Sequence, residues 1–373
     1  MCLSAKPHAN LHEKLVDIYR KSLTLLPREP TEKYLNIMPS IPMPSTLEYL
    51  KKFTVVVADT GDFEAFKQYS PVDSTTNPSL ILSASKLPQY SHLIDEAVEF
   101  GRTQQTLEAQ IEAAFDHVFV LFGCEILRII PGRVSTEVDA RFSFDVNKQV
   151  DVARRLIAMY ENRGIPKDRV LIKLSSTWEG IQAAKILESK YGIHCNLTLM
   201  FSLCQAIACA EAGVTLISPF VGRVLDWHVA KYGKKTYSRC DDPGVQLVTR
   251  IYNYYKQRGY KTEIMGASFR NVDQILGLIG CDLLTIAPNL LEQLSEMTET
   301  PEVCLTLAKA ASDSMGDELE SVSRLQPMKE ADFRWLLNED EMATDKLSDG
   351  VRRFAKDADT LRDLLKARLQ AVK

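Results

Sequence analysis

From Phe53 onward, short apolar runs of strand length alternate with longer stretches of helical periodicity. This alternation constrains the fold more than any other feature, because strands covered on both faces read as near-continuous apolar runs. The strand candidates lie at about 53–58, 73–77, 134–138, 170–175, 194–199, 215–220, 263–267 and 283–287. Amphipathic helices fill the gaps. Val150, Ala153, Ile157 and Tyr160 form a stripe over 147–163, closed by Gly164. Val245, Val248, Tyr252 and Tyr255 repeat the pattern over 245–258, closed by Gly259. Asn271 reads as the N-cap of a helix over 272–279 that stops at Gly280, and two helices, 88–101 and 104–122, separate the second and third strands. Eight strands, each followed by helix, predict an α/β fold of the (β/α)8 TIM-barrel type. The alternative is an open doubly wound sheet, but neither G-x-G-x-x-G nor G-x-x-x-x-G-K-[ST] occurs, which favours the barrel.

The ends of the chain read differently. Residues 1–46 form an N-terminal extension. Leu11, Leu15, Ile18 and Leu25 suggest a short helix, and Pro27, Pro30, Pro39, Pro42 and Pro44 then mark a linker. Residues 47–373 constitute the barrel domain with a helical tail. In that tail Leu347, Val351, Phe354, Ala358, Leu361 and Leu365 recur at spacings of 4, 3, 4, 3 and 4. The stripe suits a helix packed on the barrel or a coiled-coil dimer seam.

A net charge of -4 and a pI of about 6.0 argue against a nucleic acid or an anionic membrane as the main partner. No stretch approaches the roughly 20 apolar residues of a membrane span, and the first residues lack the basic, apolar and small-residue regions expected of a signal peptide. Glu13 and Asp17 in the first helical segment argue against mitochondrial import, so a cytoplasmic location is expected. The eight cysteines form no C-x-x-C pair, and several, such as Cys195 and Cys281, sit in apolar surroundings.

Within the fourth apolar run, Val-Leu-Ile-Lys-Leu-Ser-Ser (170–176), stands one lysine, Lys173. An ammonium withdrawn from water is costly, and the neutral amine it can become is a nucleophile. Lys173 therefore reads as a Schiff-base catalyst or, in the bland reading, as a strand lysine paired with a carboxylate.

Barrel enzymes carry their chemistry at the C-terminal ends of the strands. Reading each strand to that end gives Asp59, Asn77, Glu137, Lys173, Asn196 with Thr198, Ser218 with Arg223, and Ser268 with Arg270. Singly, each has an ordinary explanation. Asp59 could cap a turn, Asn77 before Pro78 is a turn device, and Glu137 could pair with Arg133 or Arg141. Together they supply one amine, two carboxylates, several small donors and two guanidinium groups to one rim. An amine attacks a carbonyl, carboxylates move protons, and guanidinium groups grip phosphate. No His/Asp/Glu cluster offers metal ligands, which fits an iminium acting as the electron sink in place of a metal.

The strings that carry these residues resemble the transaldolase family, in its longer branch. They are Val-Ala-Asp-Thr-Gly-Asp (57–62), Thr-Thr-Asn-Pro-Ser-Leu-Ile (75–81), Pro-Gly-Arg-Val-Ser-Thr-Glu-Val-Asp (131–139) and Ile-Lys-Leu-Ser-Ser-Thr-Trp-Glu-Gly (172–180). Cys-Asn-Leu-Thr-Leu (195–199), Ile-Ser-Pro-Phe-Val-Gly-Arg-Val-Leu-Asp-Trp (217–227) and Met-Gly-Ala-Ser-Phe-Arg-Asn (265–271) complete the set. The resemblance runs from about Leu47 to near the C-terminus. It implies a class I Schiff-base transferase of the pentose phosphate pathway, acting on sugar phosphates as a homodimer and requiring no cofactor. It further implies that Lys173 forms the imine, that Asp59 takes the C4 hydroxyl proton, and that Glu137 works through a water held with Thr198. Asn77, Asn196 and Ser218 would hold the dihydroxyacetone unit beside Phe220, and Arg223, Ser268 and Arg270 would bind phosphate. The 46-residue leader exceeds the family's usual short lead-in.

Three rivals remain at this stage. One is an aldolase that releases dihydroxyacetone, and another is a non-catalytic dimeric scaffold. The third is an aspartic protease read from Asp59-Thr60-Gly61, which lacks the second such motif that the chemistry needs.

Overall fold

A computed structural model describes residues 44–233, 236–314 and 326–371. The predicted leader helix and most of its proline-rich linker lie outside these residues. Eight parallel strands close into a barrel: β1 (Val55–Asp59), β2 (Asp73–Thr75), β3 (Val134–Glu137), β4 (Val170–Ser175), β5 (Cys195–Met200), β6 (Leu216–Pro219), β7 (Glu263–Gly266) and β8 (Leu283–Ile286). Each pairs with its sequence neighbours, and β1 closes on β8 with Val55 opposite Leu283. Every predicted strand is present, with no end displaced by more than two residues.

The helices are α1 (Thr46–Leu50), α2 (Pro78–Ala84), α3 (Ser91–Gly101), α4 (Leu107–Leu127), α5 (Val146–Glu161), α6 (Trp178–Ile186) and α7 (Leu203–Glu211). They continue with α8 (Val221–Tyr232), α9 (Pro243–Arg258), α10 (Val272–Leu276), α11 (Pro288–Glu296), α12 (Leu307–Ser312), α13 (Glu330–Glu339) and α14 (Glu341–Gln370). Polar caps set their starts. Asn271 accepts from Gln274 N at 2.9 Å, as its position predicted, and Ser202 with Gln205 forms a full capping box on α7. Two details depart from the expected pattern. Only a 3-10 turn, Lys67–Tyr69, joins β1 to β2, and three helices rather than two separate β2 from β3. The extra one is α2, which a three-residue strand followed by Pro78 conceals in sequence.

Strand alternation sorts the side chains into two environments. Val56, Ala58, Ile172, Leu174, Leu197, Ile217, Leu284 and Ile286 join the large core shared with the helix layer. Val57, Leu171, Leu216, Met265 and Leu283 form a separate small cluster inside the barrel. Two residues further along the same strands, the interior turns polar with Asp59, Lys173, Ser218 and Thr285.

The tail resolves the choice left open by its heptad-like stripe. Leu347, Phe354, Ala358, Leu361 and Leu365 of α14 are all buried within the chain, against a helix and barrel surface that includes α2, α4, α8 and β5. They are spent on intramolecular packing and are not a free dimer seam. Arg362 fastens the helix through ion pairs to Glu112 and to the buried Asp139. No helix among the described residues is long and apolar enough to cross a membrane.

Candidate active site

Sheet register builds the centre of the site. Glu137 lies opposite Lys173, and Lys173 lies opposite Asn196, so three neighbouring strands place these side chains in one row. Lys173 is only 4% exposed. Its Nζ donates to the Thr76 carbonyl at 3.2 Å and stands 3.5 Å from Glu137 Oε2. Arg133 and Arg141, the partners considered for Glu137 from sequence, are engaged elsewhere: Arg133 binds Asp73 and Glu263, and Arg141 binds Asp139.

Both carboxylates near Lys173 hold protons more tightly than usual. Burial pushes Glu137 up to about 7 against the opposing pull of Lys173 and Arg223. Burial also raises Asp59, while Lys173 and a hydrogen bond from Thr75 restrain the rise. That hydrogen bond is 2.9 Å long, and the Thr75 hydroxyl is shared across the barrel with Thr285 at 2.7 Å. Glu137 Oε1 and Oε2 and Thr198 Oγ1 are buried without hydrogen-bond partners among the described residues. Orphaned polar atoms of this kind mark a position for water or a substrate oxygen.

A cavity of about 170 Å³ opens above this row. Asp59, Asn77, Lys173, Ser218, Phe220, Arg223 and Ser268 line it. Four further predicted residues stand behind or beside it. Glu137 backs Lys173, Thr198 lies on β5 next to the Lys173 strand, and Asn196 accepts from the Ser218 hydroxyl at 2.6 Å. Arg270 is drawn aside by Asp226 at 2.7 Å, yet its Nη1 reaches the Ser268 carbonyl at 3.0 Å. Asn77 combines a capping role with a place at the cavity. It caps α2 by accepting from Leu80 N at 3.0 Å and it also lines the cavity, having left β2 two residues earlier.

Arg223 and Ser268 line the same cavity, and their backbones are brought together at Gly222. Gly222 N donates to the Ser268 carbonyl at 3.0 Å, and a Cβ on Gly222 would sit 2.2 Å from that oxygen. Ser268 pays for the contact with a left-handed φ of 62°. Sequence reasoning missed Thr75, Thr285, Ser79 and Phe354. Phe354 and Ser79 line the cavity, and Ser79 bonds to Asp357 of α14. Phe354 was visible only as one member of an apolar helix stripe, which carries no signal of a site.

Comparison with known proteins adds an independent line. The sequence profile described as Transaldolase/Fructose-6-phosphate aldolase matches residues 56–365. A Homo sapiens protein named transaldolase is 58% identical over 328 residues, covering 88% of this chain and 95% of its own. A Drosophila melanogaster protein named probable transaldolase is 56% identical over 327 residues, covering 87% of this chain and 96% of its own. A Shewanella putrefaciens transaldolase is 54% identical over 328 residues, covering 88% of this chain and 99% of its own.

Proposed function

We infer that this chain, which belongs to the transaldolase/fructose-6-phosphate aldolase family, is a transaldolase that moves a dihydroxyacetone unit between sugar phosphates. The observation that carries the reading is Lys173, buried beside Glu137 and opening on a cavity that also holds Asp59 and Arg223. Once the Lys173 ammonium has passed a proton to a neighbouring carboxylate, the amine attacks C2 of a ketose phosphate and gives a carbinolamine. Loss of water leaves an iminium, which serves as the electron sink. Asp59 then accepts the C4 hydroxyl proton as the C3–C4 bond breaks, and an aldose phosphate departs. The enamine that remains adds to the carbonyl carbon of the acceptor aldose phosphate, and hydrolysis of the new imine frees the product.

Glu137 shuttles protons during carbinolamine formation and dehydration through a water shared with Thr198, and the unpartnered oxygens of both residues support that role. Ser218, Asn196 and Asn77 hold the hydroxyls of the dihydroxyacetone unit, with Phe220 as a wall. Arg223, Ser268 and Arg270 bind the phosphate. The enzyme acts in the cytosol as a homodimer in this reading. Light scattering of the purified protein tests the second point, and imaging of the full chain beside one lacking residues 1–46 tests the first.

Borohydride added with fructose 6-phosphate tests the central step. A stable adduct on Lys173 is expected. An adduct on another lysine, or none, overturns the mechanism.

A further inference from the structure

We propose that the C-terminal helix sets the preference for phosphorylated substrates, with Gly350 and Phe354 forming a seat for the Arg223 guanidinium. The inference rests on the reading of Arg223 as a phosphate ligand and adds the element that makes it one.

Arg223 is held in an unusual way. Its guanidinium carbon lies 5.0 Å from the ring centre of Phe220 and 5.3 Å from that of Phe354. Phe220 directly precedes α8 and is braced edge-on by Phe201 at 5.6 Å. Phe354 belongs to α14, is 2% exposed and lines the catalytic cavity. Gly350 stands one helical turn before Phe354, on the same face. A Cβ on Gly350 would lie 3.3 Å from Arg223 Nη1 and 2.6 Å from Leu199 Cδ2. A side chain at this position would press first on Leu199 and then on the guanidinium, so the glycine leaves room for both.

The chemistry of this arrangement differs from that of an ion pair. A carboxylate would hold the arginine by consuming the N–H donors that phosphate needs. Aromatic faces hold the guanidinium through its π surface and leave its edge donors available. Arg223 Nη1 is buried without a hydrogen-bond partner among the described residues. Arg270 shows the contrast within the same site, since its Nε and Nη2 both bond to Asp226. Arg353 and Arg270 act on Arg223 electrostatically, with Asp349 and Glu137 opposing them, so cations and carboxylates both surround the seat and neither carboxylate forms an ion pair with it. A guanidinium fixed before substrate arrives loses less freedom on binding.

Steady-state kinetics of the full chain tests the proposal with two donors, fructose 6-phosphate and D-fructose. Under ping-pong kinetics the donor kcat/KM reports the donor half-reaction alone. The inhibition constant of inorganic phosphate gives a second readout. Phe354→Leu, which keeps apolar bulk and removes the ring, is expected to lower the phosphorylated-to-free preference about tenfold and weaken phosphate inhibition to match. Gly350→Ala is expected to shift both readouts the same way, by roughly threefold to fivefold. Arg223→Ala serves as the reference and should shift both further.

If Phe354→Leu and Gly350→Ala leave both readouts unchanged while Arg223→Ala shifts them, the seat is wrong and the phosphate reading stands. If Arg223→Ala shifts neither, the phosphate reading falls and takes the seat with it. Equal losses on both donors in Phe354→Leu would make that ring a cavity wall only and would also overturn the proposal. Should Phe354→Leu fail to fold, Gly350→Ala decides alone.

Discussion

The barrel holds two cations that each face two carboxylates, one at either end. At the N-terminal end of the strands, Arg133 grips Asp73 through its backbone N at 2.8 Å and its Nε at 3.1 Å, and reaches Glu263 at 2.9 Å. At the C-terminal end, Lys173 stands 3.5 Å from Glu137 and lies close enough to Asp59 to act on its charge. The ingredients are nearly the same, but their satisfaction is not. Burial disfavours charge on Arg133, yet Glu263 and Asp73 outweigh it and leave its affinity for the proton raised. Around Lys173, burial wins at both carboxylates and raises them, and neither oxygen of Glu137 has a hydrogen-bond partner among the described residues. A fully bonded pair is a structural tie. An under-bonded one keeps protons and lone pairs available, which costs stability and permits chemistry.

The largest effect should come from Lys173→Met. It removes the nucleophile, so activity is expected to fall by about four orders of magnitude or more, with no borohydride adduct. Because it also removes an under-bonded buried charge, the thermal midpoint should hold or rise. A marked drop in that midpoint would break the contrast with Arg133. Asp59→Ala comes next. Turnover should fall roughly a hundredfold to ten-thousandfold while the Lys173 adduct still forms. Normal turnover in this variant would require another proton acceptor.

Glu137 gives a pH signature. If its carboxylate form is the active one, the activity limb below about 7 should fall close to tenfold per pH unit and vanish in Glu137→Gln. Its effect on stability has a defined sign. The native carboxyl is raised from 4.5 to about 7, so the native state binds the proton more tightly than the unfolded state. Stability therefore declines as pH rises through this window, and Glu137→Gln should gain relative to the parent above pH 7 but not at pH 4. Denaturant titrations at the two pH values check it.

Arg133→Met sharpens the comparison from the other end. It should cost about 2–4 kcal/mol of stability by stranding the mostly buried Asp73, while changing kcat/KM of the folded protein less than about threefold. A large kinetic loss without a stability loss would remove the distinction between the two ends.

Much of this was legible in the chain itself. Most strands were readable because residues buried on both faces leave nearly continuous apolar runs, and Lys173 stood out as the one lysine inside such a run. Asn77 was harder, since a capping residue and a ligand-binding one look alike before proline. Arg270 was read as equivalent to Arg223, although Asp226, which distinguishes them, lies 44 residues away in sequence. Phe354 was invisible as a site residue because a ring that packs and a ring that flanks a guanidinium fit the same stripe.

The sequence by itself determined the repeating strand–helix units, their order and the polar residues two steps above the apolar barrel interior, because each is a local pattern of burial. Tertiary structure alone decided which charges are bonded and which are left wanting. That depends on contacts between segments distant in the chain, such as Arg133 with Glu263 or Arg223 with Phe354. Periodicity records whether a side chain is buried but not what it meets once it is there.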